Sequence, residues 1–181
     1  MRSFKTEAII IKRKNYSEAD RIITVFTKAQ GKISIKASGV RRVKSRRGPH
    51  VELLNWTMLS LHNGHKLPIL TEAETIEPFS YIKDDLKKTG TAFYICELVD
   101  GLCPENQENR PVFNLILQTL QNLRSKDHTS EVENFEITLL RLLGFWPYDK
   151  KLDEKSHKFV IESILERRLK TARILPLFAE Y

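Results

Sequence analysis

At 181 residues with 41% hydrophobic composition, the chain is long enough to bury a real core and to hold one large domain or two small ones. Thirty Lys and Arg against 23 Asp and Glu give a formal charge of +7, and the excess is lopsided: residues 1–50 carry fourteen basic and three acidic side chains, the rest sixteen and twenty. No run approaches the roughly 18 apolar residues of a membrane span, and Met1–Lys5 leads into alternating sequence rather than an apolar signal segment, so the expectation is a soluble, cytoplasmic protein that meets a polyanion.

Up to about Glu77 the hydrophobic period is two. Glu7–Lys12 and Asp20–Thr27 read as strands rich in β-branched residues, with a turn around Asn15–Ala19 and another at Gln30-Gly31. In the third strand Ile33, Ile35 and Ala37 alternate with Lys32, Ser34 and Lys36, which predicts one buried face and one wet face from which Lys32 and Lys36 point outward together. A fourth strand is expected from about Leu53 to Leu61 and a fifth from about Leu67 to Ile76, joined by a turn at Asn63-Gly64. Five short strands in under eighty residues suit a closed barrel, and a five-stranded Greek-key OB-fold is the economical choice because closure removes sheet edges.

After Pro78 the period becomes 3.6. Ala92, Cys96, Val99 and Cys103 line one predicted helix; Phe113, Ile116, Leu117, Leu120 and Leu123 the next; Val132, Phe135, Leu139 and Leu142 a third. Pro111 suits a helix start, Ser130 with Glu133 forms a capping box, and Gly144 followed by Pro147 ends the third helix. A last helix is expected from near Ser156 to Lys170, with Ile161, Ile164, Leu165 and Leu169 as its stripe. The fold class is therefore α+β, an OB-fold over residues 1–78 followed by an all-α domain over 79–181. Cys96 and Cys103, two helical turns apart, read as small buried hydrophobes.

The candidate site lies between the third and fourth strands. Gly39 to His50 packs Arg41, Arg42, Lys44, Arg46 and Arg47 between glycines that keep the backbone mobile; such a loop grips phosphates, and Lys32 and Lys36 add to the same patch. The candidate nucleic-acid-binding set is thus Lys32, Lys36, Arg41, Arg42, Lys44, Arg46 and Arg47. The plainer alternative is a solvated loop kept for solubility. Tyr16, Phe26 and Trp56 are the candidates for base stacking; Phe26 shares a face with Ile22 and Trp56 sits between Leu54 and Met58, so both read as core, while Tyr16 beside the polar turn is open between core and surface.

Catalytic and metal readings have little support. The five histidines (His50, His62, His65, His128, His157) are scattered among polar neighbours, and no C-x-x-C pair, H-E-x-x-H or phosphate-binding G-x-x-x-x-G-K-[ST] occurs. Glu18 and Asp20 form an acidic turn with Tyr16, which reads as structural, Asp20 pairing with an Arg or capping a turn. No catalytic residue, metal or cofactor is expected.

Tyr16-x-Glu18-x-Asp20, Phe26-Thr27, Gly31, Gly39 with Arg41-Arg42, and Lys44-Ser45-Arg46 resemble the amino-terminal signature of the bacterial recombination mediator RecO family. Glu97-Leu98, Leu139 to Phe145 with Pro147, and Arg168 to Arg173 resemble that family's helical domain and closing segment. The resemblance implies an OB-fold and a helical domain that bind single- and double-stranded DNA, anneal complementary strands and help load the recombinase onto DNA coated with single-strand-binding protein. It implies two protein partners, RecR and the acidic, apolar carboxy-terminal tail of single-strand-binding protein, for which Arg124, Arg141, Arg167 and Arg168 are the available cations. Many relatives carry a four-cysteine zinc hairpin after the Leu-Gly-aromatic-x-Pro stretch, whereas Tyr148 to Glu154 contains no cysteine, which reads as a compact, metal-free version. Two other classes share parts of the pattern: an OB-fold RNA-binding protein associated with translation, and a nuclease using the Tyr16–Asp20 carboxylates.

Overall fold

The computed structural model describes residues 3–124, 129–148 and 156–171. Alternating apolar residues form β1 (Ser3–Tyr16), β2 (Asp20–Thr27), β3 (Gly31–Ala37), β4 (Trp56–His62) and β5 (Ile69–Glu77), which close into a barrel in the order β1-β2-β3-β5-β4. All neighbouring pairs are antiparallel except β3 and β5, a short parallel contact at Lys36 and Ile69 reinforced by the Lys36 N–H on the Pro68 carbonyl at 2.8 Å. This closure leaves no long unpaired edge. Inside lie Ala8, Ile10, Ile23, Val25, Ile33, Ile35, Ala37, Val51, Leu59, Leu61 and Leu70, all essentially without solvent contact.

β1 is longer than the sequence pattern predicts because it bends between two partners, pairing with β4 in its first half and with β2 throughout its second. The bend contains a bulge: the β1–β2 register slips between Ile10 and Lys12, leaving Ile11 as an extra residue. Side chains alternate along a strand, so one inserted residue reverses the faces beyond it. Ile10 faces the barrel interior; Lys12, Lys14 and Tyr16 therefore lie on the outside, while Arg13 takes the inner side at the barrel mouth.

The chain divides into two compact units, one comprising residues 1–79 with 104–113 and the other 80–103 with 114–181. A single cut after residue 78 assigns 104–113 to the helices; those ten residues belong with the barrel. Their backbone runs beside β3, where the Asn106 N–H donates to the Lys32 carbonyl at 2.8 Å and Glu105 bridges to Lys32. Gly31 makes the approach possible: its φ is +65°, and a Cβ there would sit 1.8 Å from the Gln107 carbonyl oxygen.

The helices are α1 (Ser80–Lys83), α2 (Leu86–Leu102), α3 (Arg110–Asn122), α4 (Thr129–Leu142) and α5 (Ser156–Leu165). Asp85 caps α2, its carboxylate accepting from the Lys87 and Lys88 N–H groups. α2 is buried on several sides rather than along the single predicted stripe, because α1, α4 and α5 all pack on it and Gly90, Thr91 and Ala92 keep its width small. Cys96 and Cys103 are buried, as the sequence predicts. α4 starts at Thr129, which puts Ser130 in its first turn rather than at the cap. It ends as predicted at Gly144, whose φ of +78° lets the Phe145 N–H reach Leu140 and the Gly144 N–H reach Arg141, a Schellman ending. α5 stops at Leu165, short of Lys170, because Glu166 turns left-handed at φ +52°; Leu169 is nevertheless buried beyond the helix.

Candidate nucleic-acid interface

The outer face of β1, β2 and β3 is built from cross-strand rows. Lys14, Ile22 and Lys36 form one row; Lys12, Thr24 and Ser34 form the next; Tyr16 stands opposite Asp20 at the end. Lys12, Lys14 and Tyr16 are exposed, and Lys36 and Ile22 are half-buried. Lys36 is held in place: its Nζ lies 3.3 Å from the Asp20 carboxylate and 5.7 Å from the centre of the Tyr16 ring. Asp20 also accepts the Gly39 N–H at 2.8 Å, and that hydrogen bond, opposed by burial and aided by Lys36, holds its carboxyl below the usual carboxylate range. Asp20 is therefore a structural acid, paired with a lysine and pinning a turn.

Through Asp20, the loop after β3 is fastened to the β1–β2 turn. The Arg41 N–H donates to the Ala19 carbonyl at 3.0 Å and its guanidinium to the Ser17 carbonyl at 3.0 Å. The loop itself is a chain of turns, Arg42 N–H to Gly39, Ser45 N–H to Arg42 and Gly48 N–H to the Ser45 hydroxyl. The glycines thus serve turns and close approach: Gly39 adopts φ +71°, and a Cβ on Gly48 would meet the Val40 carbonyl at 2.7 Å. A loop kept mobile by its glycines is not what the geometry gives.

Besides Lys36, the six other predicted cations separate into three groups. Arg42, Lys44 and Arg46 project into solvent around a fully exposed Val43, and Arg41 is exposed while bonded to Ser17. Arg47 is turned back onto the barrel, donating to the Leu70 carbonyl at 2.6 Å and the Ser38 carbonyl at 2.8 Å. Lys32 shares the outer face with Lys36 by register but is buried, with 6% exposure, so it does not reach solvent with Lys36. The reason is the 104–109 segment lying along that end of β3, a contact between residues seventy positions apart that the alternation of one strand cannot reveal. Phe26, Ile9 and Trp56 continue the row of Lys32 across the sheet. Phe26 is buried there, outside the barrel-core cluster, and Trp56 is half-buried.

Lys12 and Lys14 are the cations the sequence reading left out. Their signal was present in Lys12-x-Lys14-x-Tyr16, but strict alternation from Ile10 would turn them inward; the bulge at Ile11 is what brings them out. On the inner side, Arg13 of β1 and Arg21 of β2 both meet Glu52, at 2.5 and 3.5 Å, within the barrel mouth.

In the helical unit the four predicted cations are engaged to different degrees. Arg124 stacks 4.7 Å from the centre of the Tyr81 ring, Arg141 lies 5.7 Å from Tyr148, and Arg167 donates to Glu97 at 2.6 Å. Arg168 is exposed. Glu97 also accepts from the N–H groups of Lys170 and Thr171 and from the Thr171 hydroxyl. Burial alone would raise its pKa; the Thr171 hydroxyl, these N–H groups and Arg167 outweigh it and hold the carboxyl at about 2. A second polar knot escaped the sequence reading: Glu136 on α4 accepts the Tyr94 hydroxyl and faces His157 Nδ1 at 2.7 Å, all three buried. The Tyr148–Glu154 stretch read as lacking a zinc hairpin lies outside the described residues beyond Tyr148, as does the end of the Arg168–Arg173 motif beyond Thr171. Among the described residues no group of three His, Cys, Asp or Glu could hold a metal, and no helix is long and apolar enough to cross a membrane.

Residues 1–79 match the family model for the recombination protein O N terminus and residues 83–148 that for its C terminus. The chain belongs to the RecO family. A DNA repair protein RecO from Roseiflexus sp. is 38% identical over 147 residues, 81% of this chain and 52% of the relative. One from Dehalococcoides mccartyi is 38% identical over 148 residues (80% and 57%), and one from Symbiobacterium thermophilum 33% over 149 (81% and 59%). The chain thus spans just over half the length of these curated relatives. Three of the residues that carry the resemblance serve the barrel: Asp20 and Gly39 bond each other, and Gly31 admits the 104–109 segment.

Proposed function

We propose that this chain is a DNA-binding recombination mediator acting in recombinational repair. It binds single- and double-stranded DNA through phosphates, anneals complementary strands, and helps load the recombinase onto DNA coated with single-strand-binding protein, with RecR as partner. The observation that carries this reading is the joining of cations from two sources: the exposed Arg42, Lys44 and Arg46 on a loop tied to the β1–β2 turn, and the exposed Lys12 and Lys14 with half-buried Lys36 on the strands beside it. Clustered cations repel one another in the free protein and are relieved by a polyanion, and Arg forks onto phosphate oxygens. The reading is of binding rather than catalysis: of the two carboxylates at the β1–β2 turn, Glu18 and Asp20, Asp20 is held by Lys36 and the Gly39 N–H.

Annealing of complementary oligonucleotides, with and without single-strand-binding protein, tests the proposal. It predicts faster annealing with the chain present in both settings; no acceleration in either overturns it. A parallel competition between DNA and RNA strands of equal length discriminates against a translation-associated RNA binder, which would retain the RNA. For the tail of single-strand-binding protein, the helical unit offers Arg124, Arg141, Arg167 and Arg168, of which Arg167 is engaged by Glu97 and Arg168 is exposed. Calorimetry with tail-deleted single-strand-binding protein should show its binding abolished, and unchanged affinity would refute that partner.

A further inference from the structure

Tyr16 is 53% exposed at the end of β1, between the lysines of the strand rows and the cationic loop fastened to the β1–β2 turn. Its ring is not left to swing. It stands opposite Asp20 across the β1–β2 turn, and Lys36, clamped by Asp20 at 3.3 Å, lies over the ring at 5.7 Å from its centre. A cation on one side of the ring leaves more than half of the residue's surface open. Ile22, half-buried between Lys14 and Lys36 in the next row, extends the apolar surface beside it. Phosphate-binding cations need no aromatic among them. A ring fixed at their centre is suited to an unpaired base, whose π-face stacks on it while the flanking phosphates meet Lys14, Lys36 and the loop. A base inside a duplex is already stacked on its neighbours and has no face to offer.

We infer that Tyr16 is a base-stacking platform that makes the basic face favour unpaired nucleotides. The inference rests on the phosphate-binding reading above and adds the selectivity that reading lacks, since charge alone attracts single strands and duplexes alike. Lys36 and Asp20 are positioning residues for the ring.

The test uses the whole chain and three probes: an oligothymidine, a strand of equal length made of abasic sites, and a duplex. The parent protein should bind the oligothymidine more tightly than the abasic strand. Tyr16→Ala should lower oligothymidine affinity roughly tenfold, the worth of one stacked base, and erase the preference over the abasic strand while leaving duplex affinity unchanged. Tyr16→Phe, which keeps the ring, should behave as the parent, and thermal melts of both variants should match it. A parent that binds all probes but does not distinguish thymidine from abasic strands overturns the stacking role and leaves phosphate binding standing. A Tyr16→Ala variant that loses strand and duplex equally shows instead a ring that props up Lys36 and the loop, and overturns it too. A parent that binds no probe overturns both readings.

Discussion

Arg47 donates its guanidinium to the carbonyl of Leu70 at 2.6 Å, bridging the cationic loop to β5, and a second arm reaches the carbonyl of Ser38. One of five neighbouring cations is thus a strut, which divides the loop's charge into a part that holds and a part that projects. Replacing Arg42, Lys44 and Arg46 together by Ala should leave thermal stability near the parent's while DNA affinity at low salt falls by orders of magnitude. Arg47→Ala should cost about 1 to 2 kcal/mol, the scale of lost charge-assisted hydrogen bonds at a half-exposed site. Thermal melts and binding isotherms for the two variants check this. Equal melting losses would contradict the division.

Gly31 admits no side chain. With φ at +65° and the Gln107 carbonyl oxygen 1.8 Å from where a Cβ would stand, Gly31→Ala has to distort the backbone and push the 104–109 segment off β3. The left-handed conformation alone costs an L-residue about 1 to 2 kcal/mol, and the displaced contact adds to it. Denaturant unfolding should show a loss above that figure, and amide exchange at Lys32 to Ile33 should rise. A variant as stable as the parent would mean that the segment is not part of the barrel's unit.

Glu97 stabilises the helical unit as an anion. Its folded-state pKa is depressed to about 2 from an ordinary 4.5, so the stabilisation is complete above that ordinary value and is lost as pH falls from there towards 2. Glu97→Gln should be less stable than the parent at neutral pH, and the gap should close through that acid window. Thermal melts along a pH series measure it, and curves that stay parallel down to the acid end would contradict the role.

The barrel was legible because its strands are β-branched-rich with a period near two, and two of its turns carry Gly31 and Asn63-Gly64. The helix end at Gly144 was legible because it is written in adjacent residues. What could not be read is what depends on distance along the chain. Lys32 looks like an outward lysine until residues from beyond α2 cover it. Lys12 and Lys14 look inward until a single bulged residue reverses them. Tyr94, Glu136 and His157 look like unrelated polar residues on separate helices, and only folding makes them partners. The site was therefore half-visible: the loop announced itself by charge density, the strand face did not.

Neither cysteine of the chain suits a metal. Cys96 and Cys103 are buried, and burial together with Asp100 pushes the Cys96 thiol up to about 12, so it resists the deprotonation that zinc binding requires. Purified protein should contain no stoichiometric zinc by elemental analysis and should melt unchanged after chelator treatment. One zinc per chain would contradict this.

The central claim is that the outer face of β1–β3 and its loop hold nucleic acid by phosphate contact, and the salt dependence of binding measures that contact directly. For the parent protein, log affinity for a single strand should fall linearly with log salt, at about 0.7 per phosphate contacted, with little dependence on base sequence. Removing Arg42, Lys44 and Arg46 should flatten that line. A response already flat in the parent, or one that Arg42, Lys44 and Arg46 do not change, would show that the cations serve only to keep the protein in solution.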